Sequence, residues 1–94
     1  HPNATLQLAR LAMAAAEWTR AQQLLSSLAA ARPTDFDVLL LLGQAAGRAG
    51  HAARAREVLE GALRLRPDDA RGLFEAGLAN AASGDYPRAV FLLA

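Results

Sequence analysis

The sequence predicts an all-α fold, a solenoid of three stacked antiparallel helix pairs with the last repeat truncated. Alanine, the strongest helix former, supplies much of the apolar content, whereas valine is scarce and isoleucine is absent. Pro33 and Pro67 each follow an arginine, each precedes an acidic residue by two positions, and the two prolines are 34 residues apart. A fixed step of this length is typical of a repeat array. We therefore expect one domain spanning residues 1–94, divided into repeats 2–35, 36–69 and 70–94.

Composition excludes several classes of function. The net charge is +1, so no single-sign field favours nucleic acid or an anionic membrane. Cysteine is absent, which excludes thiol chemistry and leaves cytoplasm and periplasm equally open. The sequence contains no uninterrupted run of about 18 apolar residues, so no membrane-spanning helix is expected. The arginine, alanine and leucine bias suggests a bacterial source, and a first residue other than Met suggests a piece of a longer chain.

The first predicted repeat carries Leu8 and Ala9 on its first helix, and Ala21 with Leu25 on its second. Small residues let two helices approach closely, and a leucine four positions later fills the space beside the crossing. Ala16 stands in the turn between the helices, so we expect this turn to be the least well formed of the three. Trp18 should pack over the corner.

The second predicted repeat keeps the same pattern. Its helices are indicated by apolar stripes separated by a break at residues 48–51. The turn retains Gly50 but lacks a capping residue. Glu60 lies four residues from both Arg56 and Arg64, the spacing of exposed ion pairs, so a solvated charged face is expected there.

The third predicted repeat has the clearest turn. Gly84 permits a positive φ at the end of one helix, Asp85 can cap the next helix, and Pro87 suits its first turn. Gly77 and Ala89 again place small residues at the crossing, and Leu93 follows at the usual spacing.

This pattern resembles the tetratricopeptide repeat family, whose signature combines Leu-Gly, an aromatic, a Gly-Asp-Tyr turn, an alanine, a large apolar residue and a closing proline. The first-helix aromatic is replaced here by Ala12, Ala46 and Asn80, and Thr5 stands in for the leading large residue. The matching residues are Leu39, Leu42, Gly43, Ala46, Gly50, Ala55, Leu59, Ala62 and Pro67 in the second repeat, and Leu73, Gly77, Gly84, Asp85, Tyr86, Ala89 and Leu93 in the third. The resemblance implies a right-handed solenoid whose first helices line a concave surface that receives peptides or helices of partner proteins.

Candidate catalytic residues are few. His1 is terminal, and His51 lies in an inter-helix turn with no second metal ligand near it in sequence. The serines lack a nucleophile elbow and a paired histidine, and the glycines form no phosphate-binding motif. Acidic residues are interleaved with the arginines, which dilutes any basic patch that could bind a nucleic acid. We expect a protein that is not an enzyme, with no catalytic, metal or cofactor site and no nucleic-acid partner.

The resemblance predicts a peptide-binding groove on the concave surface. Its apolar strip would suit an apolar peptide face or a helix, and Arg10 and Arg48 would orient acidic groups. The family's chaperone adaptors hold a C-terminal carboxylate with a set of Lys, Asn and Arg side chains. This chain matches that set poorly, because only Arg71 has the right residue type at a matching position. The alternative is that other parts of a longer parent chain cover these residues. The predicted groove residues are Leu6, Arg10, Leu40, Gln44, Arg48, Arg71, Phe74 and Leu78.

The C-terminal helix suggests a second surface. Val90, Phe91, Leu92 and Leu93 follow one another, and a terminal repeat normally needs a polar capping surface. We expect either further chain after Ala94 or self-association, with a homodimer through this helix as one outcome.

The function that the sequence favours is a protein-interaction scaffold that binds a peptide or helix of a partner protein. Two alternatives stay open. One is a segment of a larger enzyme or of a secretion or envelope assembly that positions a neighbouring domain. The other is a self-associating structural module.

Overall fold

A computed structural model describes residues 2–94; His1, considered above as a candidate ligand, lies outside the described residues. Its six helices are α1 (Pro2–Ala14), α2 (Trp18–Ala31), α3 (Phe36–Arg48), α4 (Ala52–Leu65), α5 (Ala70–Ala82) and α6 (Tyr86–Leu93). The molecule is elongated, about 40 × 24 × 18 Å. Each helix packs against the next along the chain, and α3 also contacts α5. This stacking order is that of a solenoid, in which each helix pair contacts its neighbours in sequence.

Aspartates begin three of the helices. Asp35 accepts a hydrogen bond from the Val38 N–H (3.2 Å), and Asp69 accepts one from the Arg71 N–H (2.9 Å). Asp85 caps α6 by accepting from the Arg88 N–H (3.1 Å), as its sequence predicted. Helix α4 begins after His51 with no side-chain cap, also as expected.

The three turns within the helix pairs share one geometry. Ala16, Gly50 and Gly84 have φ values of 59°, 88° and 89°, in the left-handed region. In each turn the next residue's N–H bonds a carbonyl five residues earlier at 2.8 Å, as from Glu17 to Ala12. The first turn therefore has the same geometry as the other two, and the expectation that it would be the least well formed is wrong. Its cost is the strain of an alanine in a conformation that suits glycine.

The helix crossings place small residues against leucines, as the repeat pattern predicted. A Cβ added to Gly77 would lie 2.5 Å from Leu93 Cγ, and one added to Gly43 would meet the Leu59 side chain even more closely. Ala9 and Leu25 are both fully buried in the first pair. Close approach of the helices therefore depends on the missing side chain at Gly43 and Gly77.

Glu60 is part of a partly buried network and pairs with Arg88, so the expected exposed ion pairs with Arg56 and Arg64 are wrong. Arg88 of α6 donates to both Glu60 oxygens, at 2.7 and 3.0 Å, and the fully buried Asn80 donates to Glu60 at 2.9 Å. Hydrogen bonds, of which the one from Arg88 has the largest effect, hold the pKa of Glu60 below its ordinary value, although burial acts in the opposite direction. The network joins α4, α5 and α6, so residues from different repeats fix the last helix.

Candidate groove along helix α3

Two cavities lie side by side along α3 and share Gln44, Arg48 and Glu75 as lining residues. We call the surface that they form the groove. The first cavity, of about 190 Å³, lies between α3, α4 and α5. The second, of about 320 Å³, is bounded by α1, the start of α2, α3 and α5. The groove therefore spans all three helix pairs and requires their stacking.

Small side chains and apolar surface form the first cavity. Gly47, Ala55 and Ala82 leave room for a ligand side chain, and Leu59 and Leu78 supply larger apolar contacts. A Cβ added to Gly47 would meet only Ala55 Cβ, at 3.8 Å, which is ordinary contact distance. This cavity can therefore accept an apolar side chain from a partner.

Arg48 dominates the second cavity. Its guanidinium lies 5.3 Å from the centroid of the Trp18 ring, within the range of a cation–π interaction. Arg48 is exposed, and in the part of the chain described it forms no ion pair. Stacking leaves the guanidinium edge able to donate hydrogen bonds. Arg48 therefore presents an oriented cation to the groove, and Glu75 lines the same two cavities without forming an ion pair with it.

Three of the predicted groove residues, Gln44, Arg48 and Leu78, line these cavities. Arg10 is exposed on α1 but lines neither cavity. Arg71 also lines neither cavity, and it pairs with Asp69 (3.2 Å) and Asp37 (3.6 Å). The hydrogen bond from Arg71 lowers the pKa of the Asp69 carboxyl. Arg71 is therefore already neutralised by its own chain.

Of the apolar side chains predicted for the groove, Leu78 lines the first cavity, whereas Leu6, Leu40 and Phe74 line neither. Leu40 is buried in the core with Phe36 and Ala76, and Leu6 is half-buried against the neighbouring part of the core. Assigning Leu40 to the groove is therefore wrong, because this helix position packs against the next repeat. Phe74 occupies the same position in the third repeat, is exposed, and lines neither cavity.

The predicted C-terminal surface divides in two. Leu92 is buried in the core, so its assignment to an exposed face is wrong. Val90, Phe91 and Leu93 are exposed, as expected for this helix.

Sequence reasoning missed the part that Gly47 plays, because a helix-interior glycine also fits a packing role. It assigned Trp18 to a corner, but could not find its stacking with Arg48, since that contact joins two repeats. Within residues 2–94 no three His, Cys, Asp or Glu side chains are grouped as metal ligands. None of the described helices is long and apolar enough to cross a membrane.

Comparisons with known proteins agree with this architecture. MamA from Desulfovibrio magneticus RS-1 superposes with a TM-score of 0.92 at 22% identity, covering 99% of this chain and 52% of the MamA chain. MamA of strain AMB-1 gives 0.91 at 22% identity, with 99% and 51% covered. The Sgt2 TPR domain from Aspergillus fumigatus gives 0.89 at 23% identity, with 97% and 60% covered. The chain thus spans about half the length of the MamA chains that it matches.

Identity at this level shows the fold, and it confirms the predicted all-α solenoid of tetratricopeptide type. A search among curated proteins found no significant match. The sequence profile of the tetratricopeptide repeat matches residues 40–94, more than half of the chain. The chain belongs to the tetratricopeptide repeat family.

Proposed function

We propose that this protein is a non-enzymatic interaction scaffold whose groove binds a peptide or helix of a partner protein. Its fold supports a protein-interaction module. The observation that carries the finer proposal is the pair of cavities on either side of Arg48. An apolar side chain would enter the first cavity while an acidic group pairs with Arg48, whose guanidinium Trp18 holds in place.

The charge distribution favours a protein partner over a nucleic acid. Carboxylates pair with five of the ten arginines, and the net charge is only +1. A nucleic-acid surface needs a continuous row of unneutralised cations along the phosphate backbone. The arginines in ion pairs are Arg32, Arg54, Arg66, Arg71 and Arg88.

The test is a peptide-display selection on the wild-type chain, followed by binding measurements on variants. Gly47→Leu should fill the first cavity and weaken the selected peptides about 10-fold or more, since the ligand side chain loses its space. Arg48→Glu should weaken acidic peptides by a similar factor. Gly61→Leu is the matched control, because its added Cβ would have only the Arg64 side chain nearby, at 3.5 Å.

Binding that survives both groove variants would overturn the proposal. The same holds if the selection yields no peptide that binds the folded chain. Circular dichroism on each variant is the control that checks whether helicity is retained.

Self-association is a second candidate function. The observation that favours it is exposed apolar surface at both ends of the solenoid, including Leu8 and Leu11 on α1 and Leu93 on α6. A monomer at every concentration, measured by light scattering, would exclude it.

A further inference from the structure

We propose that the groove receives an amphipathic helix of a partner protein, one that carries an acidic and a basic residue two turns apart on its apolar face. This inference deepens the proposed function, on which it rests, by naming the chemistry of the partner segment. The acidic residue would pair with Arg48 and the basic residue with Glu75. An apolar side chain between them would enter the first cavity.

Glu75 is the second charge of the groove, and its own chain does not neutralise it. The side chain is half-buried on α5 and lines both cavities. Among residues 2–94 it forms no ion pair, although Arg48 lines the same cavities. Arg71, one turn earlier on α5, is engaged by Asp69 and Asp37. The groove therefore holds an unpaired carboxylate as well as an unpaired guanidinium.

An occupant with acidic groups alone would leave this carboxylate uncompensated. Covering Glu75 removes water from it, and burial of an unpaired charge is costly. Arg48 is stacked on the Trp18 ring, 5.3 Å from its centroid, and does not close onto Glu75. A basic group on the occupant removes the cost and adds a charge-assisted hydrogen bond. Charge complementarity therefore favours an occupant that carries both signs.

The repeat register sets the spacing of the two charges. Glu75 occupies the position of Leu41, 34 residues earlier, and Leu41 precedes Arg48 by seven residues on α3. First helices of successive pairs run in the same direction, so Glu75 lies about two turns, or about 10 Å, nearer their N-terminal ends than Arg48. Leu78 is equivalent to Gln44 and lies at an intermediate height. The apolar contact is therefore placed between the two charges.

A helical occupant matches this spacing better than an extended one. Residues seven apart on an α-helix lie on one face about 10 Å apart, and the residues three and four along lie between them on that face. An extended chain covers about 10 Å in about three residues, and side chains three positions apart point to opposite faces. The expected pattern is therefore two opposite charges seven residues apart, with an apolar side chain midway.

The test measures the affinity of designed helical peptides for the 94-residue chain and its variants by fluorescence anisotropy. The parent peptides carry glutamate and arginine seven residues apart with leucine midway, one peptide for each order of the charges. The order that binds more tightly is used throughout. Replacing the peptide's arginine with glutamine should weaken binding to wild type about 10-fold, but should have little effect on binding to Glu75→Gln. Replacing the peptide's glutamate should behave in the same way toward Arg48→Gln.

Three controls check the geometry. Moving the peptide's arginine by two positions takes it off the apolar face and should cost as much as removing it. A central proline, which breaks the peptide helix, should weaken binding strongly. Glu57→Gln removes an exposed carboxylate of α4 that lines neither groove cavity, so it should leave every affinity unchanged. Circular dichroism checks that each protein variant keeps its helicity.

Each failure has its own signature. If the peptide's arginine contributes equally to binding wild type and Glu75→Gln, or if the proline peptide binds as tightly as its parent, the inference is overturned while groove binding stands. The same follows if peptides from display selection bind and all the designed helices do not. If no peptide of either origin binds the folded chain, the proposed function fails as well.

Discussion

Gly43→Ala and Gly77→Ala make the same chemical change at equivalent helix crossings, and the structure predicts different outcomes. In each case alanine should gain about 1 kcal/mol of helix propensity over glycine. A Cβ at position 43 would lie 2.8 Å from Leu59 Cδ1 and closer to two other atoms of that side chain. A Cβ at position 77 would lie 2.5 Å from Leu93 Cγ. The two clashes are similar, so the outcome depends on whether each leucine can move.

Leu59 is fully buried, and its movement would disturb the core, whereas Leu93 is nearly half exposed and can turn toward solvent. Overpacking a core costs about 1–3 kcal/mol. Ala9 opposite the equally buried Leu25 shows that this position can hold an alanine where the helices pack around one, whereas at Gly43 they pack with no side chain present and Leu59 fills the space. We therefore expect Gly43→Ala to lower the free energy of unfolding by about 1–2 kcal/mol after the propensity gain. Gly77→Ala should change it by no more than about 0.5 kcal/mol.

The assay is urea unfolding followed by helix circular dichroism, with equal m-values required for the comparison. A loss of 1 kcal/mol in a chain of this size should lower Tm by about 4–8 °C. Gly61→Ala is the control and should raise stability by about 0.5–1 kcal/mol, because its Cβ meets only a flexible arginine. If Gly43→Ala proves as stable as Gly77→Ala, the argument from leucine burial is refuted.

Three further outcomes follow from individual contacts. Ala16→Gly should raise the free energy of unfolding by about 0.5–1 kcal/mol, since it relieves a left-handed alanine, and unchanged urea unfolding would count against strain at this turn. His51→Asp should give α4 the N-cap that Asp85 gives α6. The gain of about 1 kcal/mol should raise Tm by about 4–8 °C, and a lower Tm would contradict this prediction. The lowered pKa of Glu60 means that its ionised form stabilises the fold above the carboxyl's unfolded pKa, and that this contribution is lost as pH falls through the folded pKa. Glu60→Gln should flatten the acid side of the stability–pH profile, and a profile identical to wild type would show that the contact with Arg88 has no net effect.

Local chemistry made most of the fold predictable. The alanine content, the glycine turns and the prolines that end the helices act within a few residues of chain, so they indicate the helices and turns without reference to tertiary contacts, and the 34-residue step indicates the repeat. The small-residue and leucine pairs also follow from the sequence, because two adjacent helices can approach closely only where side chains are small.

Stacking of the repeats decided the groove and the two ends. Leu40 and Phe74 occupy equivalent positions, yet one is core and the other is exposed, because residues of α5 pack against Leu40. The stacking of Arg48 on Trp18 and the pairing of Glu60 with Arg88 likewise join residues about 30 positions apart. The sequence by itself determined which side chains each helix carries. The tertiary structure decided which of them lie against a neighbour, because burial in a solenoid depends on what is stacked beside each repeat.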